Sequence, residues 1–228
     1  MSHDFPLTKI TVLISGNGSN LQALIDATTT KLLPNVQIVH VISNKKNAYG
    51  LTRAEKAAIP TTYHNLIAGK YMKSGETDPV VKQKAREAYD ADLAEIVLQT
   101  GCDLVVCAGF MHVLAPTFLD PLSARRVPVI NLHPALPGKY DGISAIKRAY
   151  DDFQAGKLEG GVTGVMVHFV ISEVDRGQPI VVREVQCKSG ETLDELETRM
   201  HEIEHSIIIE GTVLAISSLW QERKKSTA

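Results

Sequence analysis

The sequence predicts an α/β fold class: a single doubly wound, mostly parallel sheet flanked by helices. Three observations predict it. Short, continuously apolar runs rich in Val, Ile and Leu recur along the first half of the chain. Segments with helical spacing of their apolar residues lie between those runs. A glycine-rich turn follows the first run. Strands apolar on both sides fit a parallel sheet covered on both faces, and helices are the usual crossovers between parallel strands. In such Rossmann-like sheets ligands bind at the carboxyl ends of the strands, so the residues after each strand are the first to inspect.

The elements follow in order. Residues 10–14 read as the first buried strand, and a helix follows the glycine-rich turn from about 20 to 28. In the plainest reading of that turn, Asn20 is the N-cap. Residues 36–43 form a second strand and 51–58 a short helix. Asp78-Pro79 is a helix start, with an acceptor side chain at the cap and proline where no amide is needed. That helix runs to about Gln99, with Val81, Ala85, Ala88, Leu93, Ile96 and Val97 at its spacing. Residues 104–107 and 129–132 are further strands, and a loop over 134–142 leads into a helix around 143–154. Residues 163–170 and 180–186 read as paired strands joined by a turn at Asp175-Arg176-Gly177. The last helix opens on Thr192-Leu-Asp-Glu195, a capping box in which each side chain satisfies the other residue's free amide. It extends to about Trp220, and the polar tail 221–228 reads as frayed. Residues 69–77 resemble a loose insertion. No linker, repeat or low-complexity tract divides the chain, so one domain is expected.

Composition narrows the class. A chain of 228 residues suits one α/β domain, and 44% hydrophobic residues suffice for its core. A formal net charge of −2 offers no basic footprint for nucleic acid or an anionic membrane. Cys102, Cys107 and Cys187 are an odd count without CxxC spacing, which reads as buried thiols in a reducing compartment. The N-terminus lacks the apolar stretch of a secretory signal, and the longest apolar run, 104–113, is far short of the roughly 20 residues that cross a bilayer. A cytoplasmic protein without nucleic-acid or membrane partners is expected.

Two segments carry candidate chemistry. In Ile14-Ser-Gly-Asn-Gly-Ser-Asn20, glycines let backbone amides approach a ligand and the helix N-terminus adds partial positive charge, which suits a phosphate. The spacing is neither a P-loop nor GxGxxG, and a tight β–α turn explains it equally well. In Val129-Ile-Asn-Leu-His-Pro-Ala-Leu-Pro137, Asn131 and His133 alternate along a strand and point to one face. Carboxamide and imidazole together can donate to a developing oxyanion, and His can move protons; a satisfied polar pair beside a Pro-rich turn is the other reading. Asp175 is by itself an ordinary turn residue. Brought to His133, its charge would raise the imidazole pKa and orient the ring. His112, His168, His201 and His205 have no metal-ligand spacing, so no metal is assigned, and Ser15 and Ser19 lack a nucleophile-elbow context.

The motifs ISGNGSNLQAL (14–24), CAGFMHVL (107–114), NLHPALP (131–137) and VHFVISEVDRG (167–177) stand in the order found in glycinamide ribonucleotide formyltransferases. From about Lys9 to Leu219 the chain resembles that family, most closely its stand-alone fungal form with HPALPG and AYGLTRA. The resemblance implies the formyltransferase fold in one domain, 1–228. Its ribonucleotide-phosphate-binding half would be about 9–100 and its folate-binding and catalytic half about 101–220. It implies 10-formyltetrahydrofolate as co-substrate, glycinamide ribonucleotide as acceptor and no metal, and leaves a homodimer open. Gly18, Ser19 and Asn20 match the phosphate loop, and Asn131, His133 and Asp175 the catalytic trio. Met111, His112, Val113 and Leu114, with Ile171, Ser172, Glu173, Val174 and Asp175, match the folate pocket walls, where Asn131 also lies and Arg86 is a basic contact. Glu204 matches an acidic ribose-binding residue. His201 stands where relatives often carry Lys or Gln on the phosphate side. Ser144, Ile146 and the 163–169 segment also depart from bacterial members, without touching the trio.

The implied chemistry has the substrate amine attack the formyl carbon. Asn131 and a protonated His133 stabilise the oxyanion, while Asp175 keeps His133 charged and oriented. Methionyl-tRNA formyltransferase, formyltetrahydrofolate hydrolase and a non-catalytic nucleotide-binding module are the rival readings. The first two normally carry an extra domain for which this chain has no room, and the third would not need all three trio residues.

Overall fold

The computed structural model describes residues 5–227. Two compact units are present, Met1–Val129 and Ile130–Ala228.

The first unit contains β1 (Thr8–Ile14), α1 (Ser19–Thr28), β2 (Val36–Ser43), α2 (Tyr49–Lys56), β3 (Thr61–Tyr63), α3 (Pro79–Gln99), β4 (Leu104–Cys107) and α4 (Pro116–Ala124). Its strands lie in the order β3-β2-β1-β4, and every pair is parallel. Residues of both parities along β1, namely Ile10, Val12, Leu13 and Ile14, have no exposed surface, so both faces of the sheet are covered. Burying each such side chain contributes roughly 1.5–3 kcal/mol. The Asp78 side chain accepts from the amides of Val80 and Val81, with Pro79 in the first turn, so the cap read from sequence forms.

The turn after β1 differs from expectation. Gly18, not Asn20, is the N-cap of α1, with φ of 75° and no side-chain cap bond. A left-handed glycine turns the chain into the helix, so Asn20 falls inside the first turn. β3 and α4 have no counterpart in the sequence reading. Three residues are too few to show alternation, and α4 carries Pro121 in its interior, which obscures a helical pattern.

The second unit begins within β5 (Val129–His133) and contains α5 (Ala145–Gln154), β6 (Val162–Phe169), β7 (Pro179–Gln186) and α6 (Leu193–Thr227). β6 is antiparallel to both β5 and β7, and α6 packs on β6, β7 and α5. The capping box forms as read: the Thr192 amide donates to Glu195 Oε2 at 2.8 Å, and the Glu195 amide to Thr192 Oγ1 at 3.3 Å. Residues 221–227 are helical and not frayed, because α6 continues to Thr227; Ala228 lies outside the described residues. No Gly or Pro interrupts it there, Arg223 lies 4.7 Å over the Trp220 ring, and Ser226 bonds back to the Glu222 carbonyl. Among the described residues no helix is long and apolar enough to cross a membrane.

Candidate active site

The second unit gathers the catalytic candidates. β5 carries Asn131 and His133 on one face, and the β5–β6 register sets His168 opposite Asn131. The turn after β6 returns Asp175 to the same place, with a left-handed φ of 56°. Asp175 Oδ2 accepts from the Gly142 amide at 2.7 Å and lies 3.4 Å from His133 Nδ1. Its Oδ1 accepts from Asn131 Nδ2 at 3.3 Å and lies 3.5 Å from His168 Nε2. One carboxylate therefore faces all three side chains and a backbone amide.

His168 stands in this cluster too, although the sequence reading considered it only as a metal-ligand candidate. Its Nδ1 is 2.8 Å from the Phe169 carbonyl, which can only accept, so that nitrogen carries a proton. Its Nε2 then stands 3.3 Å from the Asn131 amide nitrogen. The available signal was its place near the end of a strand leading to Asp175, but only the register connects it with Asn131.

Electrostatics revises the expected charge of His133. The residue is 3% exposed, and burial lowers its pKa. Asp175, the Lys139 backbone and Asp141 push the other way, His168 adds to the lowering, and the net shift is downward. That direction favours the neutral ring in the unliganded site, whereas the resemblance implies a protonated one for the reaction. His133 Nδ1 lies 3.4 Å from the carboxylate, and Nε2 is buried without a hydrogen-bond partner. For Asp175, burial works to raise the pKa. The His168 hydrogen bond, the Gly142 amide and the two imidazoles prevail, holding it below its ordinary value.

Gly177 fixes the turn. A Cβ there would stand 1.7 Å from the Phe169 carbonyl oxygen, so the backbone must shift to admit one. Gly177→Ala is expected to destabilise the protein by at least roughly 1–3 kcal/mol. Thermal unfolding measures this, and an unchanged Tm would contradict the close approach.

The first unit carries the remaining candidates at the carboxyl ends of its strands. A Cβ on Gly18 would stand 2.6 Å from Gly50 Cα. Arg53 donates to the Asn17 carbonyl and side chain, both at 2.9 Å, and so braces the loop. The amides of Ser19 and Asn20 open α1 at its positive end. Lys45 and Lys46 line the cleft beside this loop together with Ser15, Gly16 and Asn17. Ser15 donates to Asn44 and accepts from the Met111 amide, both at 2.7 Å, tying the segments after β1, β2 and β4. Met111 and Val113 are exposed, Leu114 is buried, and His112 is held by Asp90. Arg86 is exposed on α3.

In the second unit, Ile171, Ser172, Glu173 and Val174 form an exposed turn leading to Asp175. On α6, His201 is exposed and Glu204 buried. Among the described residues no group of three or more His, Cys, Asp or Glu is placed to hold a metal ion.

Comparison with known proteins gives a consistent picture. Residues 8–212 match the formyl transferase family model. A phosphoribosylglycinamide formyltransferase of Schizosaccharomyces pombe is 48% identical over 206 residues, covering 90% of this chain and 95% of that protein. One from Saccharomyces cerevisiae is 44% identical over 217 residues, with 93% and 99% covered. Among solved structures, glycinamide ribonucleotide transformylase 1 from Symbiobacterium toebii aligns with a TM-score of 0.76 at 31% identity, over 96% of this chain and 90% of that one.

Proposed function

The chain belongs to the formyl transferase family, and from that premise we propose how its own side chains carry the reaction. It is an enzyme that transfers the formyl group of 10-formyltetrahydrofolate to the amino group of glycinamide ribonucleotide, a step of purine synthesis. The folate is a co-substrate whose reactivity is its own, so the protein contributes position and electrostatics.

Asn131, His133 and Asp175 are assigned the chemistry. The neutral ribonucleotide amine attacks the formyl carbon, and charge builds on the formyl oxygen. Asn131 Nδ2–H donates to that oxygen, exchanging one of its long 3.3 Å contacts for a charge-assisted bond. His133 Nε2 accepts the proton released by the attacking nitrogen, and Asp175 stabilises the imidazolium so formed. The same proton then passes to N10 of the folate as the bond from carbon to N10 breaks and the formyl carbonyl reforms. The observation that carries this reading is the buried His133 Nε2 without a partner, with Asp175 behind the ring and Asn131 beside it. His168 is assigned to holding Asn131 and Asp175 in register.

Gly18, Ser19 and Asn20 are assigned to the ribonucleotide phosphate, with Glu204 on its ribose and His201 nearer the phosphate. Arg86, the backbone of residues 111–114 and that of 171–175 are assigned to the folate. The chain would work as one formyltransferase domain in the cytoplasm, without nucleic acid or membrane, in keeping with its net charge of −2. A homodimer would leave each trio intact, since all its members come from one chain.

The test is consumption of 10-formyltetrahydrofolate by the purified protein with and without glycinamide ribonucleotide. Loss of donor only when the ribonucleotide is present is expected. Equal loss without it would reassign the protein as a hydrolase or to another acceptor.

A further inference from the structure

We infer that Asp90 is a positioning residue that holds the segment from Phe110 to Ala115 in the shape a bound folate requires. The inference rests on the assignment of residues 111–114 to the folate wall. Asp90 lies in the interior of α3, and no part of it is exposed. A buried carboxylate persists only when its oxygens are satisfied. Here each oxygen serves a different point of the segment: Oδ1 is 2.7 Å from His112 Nε2, and Oδ2 accepts from the Ala115 amide at 2.8 Å.

At the far end of the segment the Ala115 carbonyl accepts from the Phe118 and Leu119 amides, and Phe110 and Leu114 are buried, but few side chains hold the stretch between. It has no regular secondary structure, and Met111 and Val113 are exposed. Besides Asp90, Ser15 Oγ binds the Met111 amide. The Tyr89 ring meets His112 edge-on at 5.0 Å and itself stacks on His64 at 4.4 Å. Alternating direction along 111–114 accompanies these ties: His112 and Leu114 turn inward, and Met111 and Val113 face outward. Arg86 lies one helical turn before Asp90, so α3 both presents the exposed cation and anchors the segment. Being fully buried, Asp90 acts through its two partners. Without it, the segment would have to be ordered by the folate itself, which weakens folate binding.

The test varies each substrate separately in Asp90→Ala and Asp90→Asn, and follows amide hydrogen exchange over residues 110–115. Asp90→Ala should raise the folate KM about 10-fold or more, from loss of charge-assisted bonds. It should leave the ribonucleotide KM near that of the parent and speed exchange in the segment. Asp90→Asn keeps an oxygen for the Ala115 amide and should recover most of the folate KM. If Asp90→Ala does not fold, Asp90→Asn carries the comparison, with a folate KM above the parent's, an unchanged ribonucleotide KM and faster exchange over 110–115 expected. An unchanged folate KM in a folded variant, or an equal rise in both KM values, overturns the inference. Parent protein whose 111–114 amides gain no protection from tetrahydrofolate would instead remove the folate wall itself. Protection in the parent with no KM effect in the variants removes only the role of Asp90.

Discussion

Asn131→Ala is expected to lower kcat/KM by about 10²–10³ while the protein stays folded. Activity depends on a donor aimed at charge that exists only during the reaction, so its loss falls on the transition state. Stability depends on what Asn131 does at rest, which is to make two long contacts of 3.3 Å from Nδ2, to His168 and Asp175. Asp175 keeps its 2.7 Å bond from the Gly142 amide in the variant. The cost in stability should therefore be near about 1 kcal/mol, or a fall in Tm of about 2–4 °C. Steady-state kinetics beside a thermal melt separates the two effects. Near-parent turnover by a folded Asn131→Ala protein would remove Asn131 from the oxyanion.

Asp175→Asn is expected to cost about 10² in kcat and to move the acid limb of the pH profile downward. The sign follows from the directions at this site. Burial lowers the His133 pKa from its ordinary 6.5, and Asp175 partly opposes that shift. If neutral His133 is the active form, the parent's activity persists below pH 6.5 and falls only as the pH passes through the lowered value. Removing the Asp175 charge removes an upward push, so the limb moves further down while the rate drops, because the imidazolium loses its counter-charge. A parent limb at or above pH 6.5, or one that rises in Asp175→Asn, would reverse the assignment of His133 as proton acceptor. Acid stability gives an independent readout. The Asp175 pKa lies below its ordinary value of 3.8, so this residue contributes stability that is present above that pH and lost as pH falls through the lowered value. The Asn variant lacks this contribution.

Local patterns were legible in the sequence wherever one segment contains the whole cause. Residues 36–43 and 104–107 are strands with the bounds read from their apolar runs, and Asp78-Pro79 opens α3 because cap and proline act within one turn. The common face of Asn131 and His133 follows from strand alternation alone. Gly18 shows where such reading stops: the string of glycines indicates a turn, but the choice of helix cap depends on which residue adopts a left-handed φ against Gly50.

By itself, then, the sequence determined the α/β class and most element bounds, properties of local spacing, while the trio came from the resemblance of its motif strings. Tertiary structure decided three things that spacing does not encode. His168 joined the trio through the antiparallel register of β5 and β6, and that register depends on a partner strand more than 30 residues away. Asp90 became an anchor because packing buried it against His112 and Ala115, whereas within α3 it is one more polar position. The charge of His133 turned on how far burial outweighs a nearby carboxylate, and solvent exclusion is a property of everything packed around the ring, not of the residues beside it in the chain.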